Sequence, residues 1–297
     1  MKAVALLSLI PSLFFVGCGS QSEENADASV AKFVVAMEPD KDPDAMLADR
    51  IALQEYLADA LKHPVEAIVP LSSAVIYEGL KNGSIDLAYL SSTAAANLME
   101  SGAVDILLAE LIDGQPHYPS YWIGLKDAPY ESIADLKGQP IAFSSRTSTS
   151  GFLIPTWDLF KQGLINLKSG PEGFFGEGNV FYGVGYVSAV ERVLEGSAEA
   201  AAVSYYVLDK DKHLSAEQRA QLKVIDTQGP VPSHVIVIRS ALPQKDREAL
   251  LASLLAMNEG DTDLRDRIFG APLAPADADS HLRITREALE LMRTMEL

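Results

Sequence analysis

Cysteine is almost absent: Cys18 is the only one in 297 residues. One thiol excludes an internal disulfide and any zinc site built on cysteine pairs. Basic side chains are scarce too, with 24 Lys and Arg against 41 Asp and Glu and a formal charge of −17. Nucleic acids and anionic membrane surfaces require clustered Lys and Arg, so neither is expected as a partner. Long apolar runs are also lacking. The one near the start, residues 3–16, is too short to cross a bilayer as a mature helix, and nothing after it could span.

Catalytic signatures are equally thin. The five histidines, His63, His117, His213, His234 and His281, are scattered, with no His-Glu-x-x-His spacing. There is no Gly-x-Ser-x-Gly elbow and no Gly-x-x-x-x-Gly-Lys loop. Gly183-Val-Gly185-Tyr-Val-Ser188 follows an expected strand but carries serine at the third small position of a dinucleotide fingerprint. Asp40, Asp42 and Asp44, and the acidic turn of Asp261, Asp263 and Asp266, lack calcium-loop spacing and read as solvated loops and caps. No metal, no cofactor and no enzymatic activity are expected.

What the chain does contain begins with an export pattern. Lys2 supplies a positive start, residues 3–16 an apolar core, and Gly17 a small residue before Cys18. The expectation is a lipoprotein signal over 1–17, removed to leave a lipid-modified Cys18 on the extracytoplasmic side of a bacterial envelope; a plain secretory signal with an incidental cysteine is the alternative. Residues 18–31 are polar and acidic, hence a flexible tether.

Beyond residue 31, short apolar β-rich runs alternate with helix-length amphipathic segments, the pattern of a parallel α/β architecture. Strands are expected at 32–37, 65–69, 85–90, 140–143, 179–183, 199–203, 222–225 and 234–238, with an extended crossing segment at 118–125. Helices are expected at 45–62, 72–80, 155–162, 188–195, 245–257 and 282–295, with another opening at Ser91-Ser92-Thr93. The change of texture near 118 marks a domain boundary. The last two helices are expected to pack on the first domain.

Several stretches resemble a known family. Ser132-Ile-Ala-Asp-Leu-Lys-Gly138, then Ile141-Ala-Phe143, then Ser148-Thr-Ser-Gly-Phe-Leu-Ile-Pro155 are similar to the phosphate, phosphite and phosphonate substrate-binding proteins of ABC importers. Gly83-Ser-Ile-Asp86-Leu-Ala-Tyr89, Gly196-Ser-Ala-Glu199-Ala-Ala-Ala-Val203 and Gly229-Pro-Val-Pro232 follow in the right order. The resemblance implies an α/β, type II periplasmic binding fold in which two lobes, each a mixed sheet flanked by helices, are joined by two crossover strands. Lobe 1 would comprise 32–119 and 232–297, lobe 2 residues 120–231, with ligand enclosed between them.

The chemistry of Ser148-Thr149-Ser150 agrees. Three small hydroxyl residues follow a strand and enter a helix, where backbone N–H groups and the helix dipole attract a negative oxygen. Pro155 disfavours helical geometry before it, so an irregular first turn is expected. Arg146 is a candidate cleft cation, and an exposed arginine equally. Where the family has histidine opening a second-lobe helix, this chain has Gly185-Tyr186; its first-lobe aromatics fall at Ser73 and Leu90, next to Ser91. The carboxylates that hold an amine in relatives would fall near Tyr206 and His234, which disfavours an amine-bearing ligand. The expected ligand set is therefore Ser148, Thr149, Ser150, Tyr186, Ser73, Ser91, Ser204, Tyr205 and His234. The expected protein is a monomeric receptor that binds phosphite, phosphate or a simple phosphonate and hands it to an ABC permease. The alternatives are another oxyanion, an organic solute lodged among Tyr186, Tyr205, Tyr206 and Trp157, or a sensory receptor serving a histidine kinase.

Overall fold

The structure is a computed structural model that describes residues 29–38, 46–210 and 213–295. The signal segment, Cys18, most of the tether and the Asp40, Asp42 and Asp44 run lie outside the described residues. Strand and helix alternate first as β1 (Phe33–Met37), α1 (Leu47–Leu61), β2 (Val65–Ile68), α2 (Ser73–Asn82), β3 (Leu87–Leu90), α3 (Ser92–Glu100) and β4 (Val104–Glu110). The chain then runs through β5 (His117–Leu125), β6 (Ile141–Phe143), α4 (Ile154–Lys161), α5 (Glu172–Phe175), β7 (Val180–Tyr182) and α6 (Tyr186–Leu194). Next come β8 (Ala200–Ser204), α7 (Tyr206–Asp209), α8 (Ala216–Ala220) and β9 (Leu222–Pro232). It closes with β10 (Val235–Arg239), α9 (Gln244–Gly260), α10 (Thr262–Phe269), β11 (Leu273–Ala274) and α11 (Ala278–Met295).

Two mixed sheets result, ordered β11-β4-β10-β3-β1-β2 and β7-β6-β8-β5-β9. In the first, β1 lies parallel to β2 and β3, and β10 enters antiparallel between β3 and β4. The sequence of β10 explains its place. Val235 and Val237 enter one apolar cluster and Ile236 and Ile238 the other, so both faces are buried, as a central strand requires. Asp86, buried just before β3, accepts the Val34 N–H at 2.8 Å and the Arg239 Nε–H at 2.7 Å, pinning β1 and β10 together. The second sheet closes over an aromatic core of Trp122, Phe143, Phe152 and Phe175.

The chain crosses between sheets through β5 and β9, which pair antiparallel with each other. β9 extends to residue 232, well past the expected end at 225, despite Pro230 and Pro232. It is an edge strand, where the N–H that proline lacks has no neighbour to meet. Where the crossings leave the first sheet, the Ser233 hydroxyl donates to the Glu110 carbonyl at 2.8 Å. His281 of α11 donates Nε2–H to the Ser233 carbonyl at 3.0 Å.

Several expectations change. The acidic turn at 261–266 opens α10 and is not a loop; Asp261 supplies the expected cap, its carboxylate accepting the Leu264 N–H at 3.1 Å. Helix α11 does not pack on the first sheet alone. Leu282 joins a first-sheet cluster, while Ala288, Leu291, Met292 and Met295 join the core of the second. Within the expected tether, Val30 donates its N–H to Asp246 at 2.9 Å and accepts from His63, so it is docked against the first sheet's helices.

Candidate functional site

All the strand ends that matter face one cleft. The carboxyl ends of β1, β3 and β4 and the amino end of β10 meet it from the first sheet. The carboxyl ends of β6 and β8 and the amino end of β5 meet it from the second, the position at which open α/β sheets bind ligands. The cleft has a volume of about 920 Å3. Four helix amino ends line it: Ser73 opens α2, Ser91 caps α3, Ser148–Ser150 lead to α4, and Gly185-Tyr186 open α6. Each brings a positive dipole end to the same space.

The second-sheet wall is built around residues 148–151. Ser148 caps a single π turn, Thr149–Leu153, that precedes α4, the irregular entrance anticipated from Pro155. Its Oγ accepts the Gly151 N–H at 2.9 Å. A β-carbon on Gly151 would sit 2.4 Å from Ser144 Oγ and 2.9 Å from Ser148 Oγ, so only glycine allows the turn to close. The Ser150 hydroxyl lies 2.6 Å from the Tyr186 hydroxyl, and the Ser148 hydroxyl donates to it at 3.4 Å. Thr149 reaches across to the first sheet, its Oγ1 2.7 Å from Thr93 Oγ1 at the start of α3. Gly183 serves packing within the protein: a β-carbon there would lie 2.7 Å from the Ser144 carbonyl.

The first-sheet wall differs. Glu38, one residue past β1, accepts the Ser73 hydroxyl at 2.9 Å and the Ser91 N–H at 3.4 Å. Glu110, the last residue of β4, accepts the Tyr89 hydroxyl and the His234 N–H, the latter at 3.3 Å. Tyr89 stacks on His234 with ring centres 5.3 Å apart, and Phe269 meets Tyr89 edge-on. Tyr205 contacts Tyr118 and Tyr206, and Tyr206 meets Tyr186 and His213. Burial raises the phenols of Tyr89 and Tyr118 well above their ordinary value, with the Glu110 charge adding at both. Tyr205 is pushed up to about 12, again by burial first and Glu110 next. These phenols stay neutral donors at any working pH.

Of the residues singled out in the sequence, Ser148, Thr149, Ser150, Tyr186, Ser73, Ser91, Tyr205 and His234 line the cleft. Ser204 does not: it ends β8 fully buried beneath the wall. Arg146 turns away as well, its guanidinium 3.8 Å from the Tyr182 ring centre. Trp157 lies outside the lining, packed at the edge of the second core with Lys161 over its ring. Sequence reasoning missed Tyr89, Tyr118, Glu38 and Glu110. Tyr89 is the penultimate residue of a strand ending at the cleft, which is a readable signal. Glu110 ends a strand that was not anticipated. The cleft thus contains carboxylates, though not at the positions where the family resemblance placed them. Among the described residues no group of His, Cys, Asp and Glu could hold a metal ion, and no helix is long and apolar enough to cross a membrane.

Residues 35–282 match the family model described as "ABC transporter, phosphonate, periplasmic substrate-binding protein". The phosphate-import protein PhnD of Mycolicibacterium smegmatis is 28% identical over 186 residues, 60% of this chain and 57% of that protein, so the match spans little more than half of that relative. Two solved structures share the fold. XAC2383 from Xanthomonas citri, bound to ATP, superposes with a TM-score of 0.73 at 18% identity, over 90% of this chain and 99% of that one. PhnD1 from Prochlorococcus marinus, in complex with methylphosphonate, gives 0.72 at 16% identity, over 89% and 99%. The two mixed sheets and the cleft between them have the type II periplasmic binding fold. With the family model covering most of its length, the chain belongs to the periplasmic substrate-binding proteins of ABC phosphonate transporters, a family of solute binders and not of enzymes.

Proposed function

We propose that this chain captures a small phosphorus oxyanion, phosphite, phosphate or a simple phosphonate, and presents it to a membrane permease. In this reading residues 32–119 with 232–297 form one lobe and 120–231 the other, and the ligand rests against Ser148, Ser150 and Tyr186. One observation carries the reading: four helix amino ends and a knot of hydroxyls converge on one cleft in a protein whose formal charge is −17. In such a host an anion is held by oriented dipoles and neutral donors, which need no net positive charge. Ligand that contacts both walls binds the closed arrangement better than the open one, and that difference in affinity drives closure. The Gly17-Cys18 pattern supports a lipid tether on the extracytoplasmic face, and the reading takes the protein as a monomer.

Calorimetric titration with phosphite, phosphate, methylphosphonate and aminoethylphosphonate tests the ligand class. Heat with at least one is expected, and silence with all four removes the oxyanion reading. Lipid labelling that persists in Cys18→Ser would remove the anchor. The rings of Tyr89, Tyr118, Tyr205, Tyr206 and Phe269 in a cleft of about 920 Å3 favour a second reading, in which the anion carries an organic substituent. Stronger heat from longer-chain phosphonates would select it.

A further inference from the structure

The cleft walls touch at depth and stand apart at the mouth. Deep inside, Thr93 Oγ1 lies 2.7 Å from Thr149 Oγ1, and both residues are buried. At the mouth, Leu71 is 92% exposed and Val184 is 96% exposed, so neither covers the other. These two occupy corresponding places. Leu71 follows β2 and Val184 follows β7, the edge strands farthest from β4 and β10 in the first sheet and from β5 and β9 in the second, where the chain crosses. Each stands one residue before a helix cap, Ser72 of α2 and Gly185 of α6. An apolar side chain at that position ordinarily packs on the fourth residue of its helix. Those residues, Ile76 and Ala189, are fully buried without it, so neither Leu71 nor Val184 is a staple of its own helix. Each has an exposed apolar companion in the first turn, Val75 beside Leu71 and Val187 beside Val184. The backbone that carries them is fixed. The Val184 and Gly185 N–H groups donate to Ser188 Oγ at 3.0 and 3.3 Å, and the Val75 N–H donates to the Ser72 carbonyl at 3.1 Å.

We infer that Leu71 with Val75, and Val184 with Val187, are the two halves of one apolar surface that meet when the lobes swing shut. This rests on the two-lobe closure proposed above, but not on which anion is enclosed. Val184 and Val187 line the cleft itself, so the partner of their patch approaches from across the cleft. Rotation about the crossing strands displaces the farthest strands most, so the patches meet last, near full closure. Water released from their side chains then favours the closed arrangement. A ligand held in that arrangement is bound more tightly, whatever its chemistry. Because the side chains are carried on fixed backbone, little further freedom is lost when they touch.

The test has two arms. In the first, Leu71→Cys combined with Val184→Cys in a full chain carrying Cys18→Ser is exposed to a mild oxidant, and bridged peptides are identified by mass. A disulfide forms only where the two Cα atoms come within about 7 Å. The control pairs Leu71→Cys with Val224→Cys, an exposed valine of β9. The mouth pair should bridge about tenfold faster than the control or more. In the second arm, phosphate and methylphosphonate are titrated calorimetrically into wild type, Leu71→Ser, Val184→Ser and the double variant. Each serine should weaken both anions alike, by about fivefold to tenfold. The double variant should lose less than the product of the two, since either serine alone forfeits the shared contact. Both side chains are exposed, so the fold does not depend on them. A mouth pair that bridges no faster than the control overturns the inference, and so do serine variants that keep wild-type affinity. If such variants slow uptake by cells instead, the patches belong to the permease. Wild type silent toward both anions overturns the oxyanion reading alone, and the bridging arm still decides this one.

Discussion

The two walls of the cleft are made from similar parts, parallel strand ends followed by helix amino ends, yet they present opposite chemistry. The second-sheet wall offers hydroxyls aimed at one point, Ser148, Ser150 and Tyr186, above an aromatic core. The first-sheet wall offers serines whose partner is an acid, as with Ser73 and Glu38, and places Glu110 beneath Tyr89 and His234. One wall gathers hydroxyl groups at one point and the other pairs its hydroxyls with acids. Helix dipoles alone therefore do not fix the sign of a site; the side chains set on those helix ends do.

The harshest way to break the comparison is to remove the ionic pin of the first sheet. Asp86→Ala leaves a partly buried Arg239 without this partner and frees the Val34 N–H, and is expected to cost about 3 kcal/mol in chemical denaturation. The second sheet's pair of Lys223 with Glu131 is far more exposed and has less to lose. At the cleft, Tyr186→Phe should lower affinity for the oxyanion by about 2 kcal/mol, roughly thirtyfold, because a hydrogen bond to a charged group is removed. Ser73→Ala on the opposite wall should change it by about threefold or less, and equal losses would abolish the distinction between the walls.

Two glycines sharpen the contrast further. Gly151→Ala forces a β-carbon into Ser144 and should destabilise the fold by about 1–3 kcal/mol while loosening the donor knot. Gly185→Ala should be tolerated to within about 0.5 kcal/mol in thermal melts, since its backbone is extended and its β-carbon would meet open space. The smallest effect concerns pH. His281, which reaches the crossing at Ser233, is held below its ordinary value, chiefly by burial, with His117 adding. The folded state thus binds fewer protons there than the unfolded chain, so stability falls as pH drops below about 6.5. His281→Asn should flatten that part of the pH profile of Tm, and an unchanged slope would place the effect elsewhere.

Much of this was legible beforehand, for physical reasons. The apolar run of β10 has both faces buried, and the three hydroxyl residues ahead of Pro155 read as an irregular, donor-rich entrance to a helix, which the structure shows closing where Gly151 leaves no space for a side chain. The unread parts are instructive too. β4, Val-Asp-Ile-Leu-Leu-Ala-Glu, lacks clean alternation and carries charge at both ends, so the strand and its terminal Glu110 went unseen. The strand expected at 222–225 runs on to 232, because the edge position that tolerates Pro230 and Pro232 is set by the sheet order. Arg146 reads in sequence as a cleft cation or an exposed arginine, and only the fold brings Tyr182 beneath it.

Helix α11 begins in one core and ends in the other, so the final turns of the polypeptide act as a splint across the molecule. Swinging the halves apart must bend or slide that splint. In the proposed closure, the width of the open state is therefore set partly by Leu291, Met292 and Met295, which lie outside the cleft lining. Trimming the carboxyl end is expected to slacken the jaws before it alters their teeth.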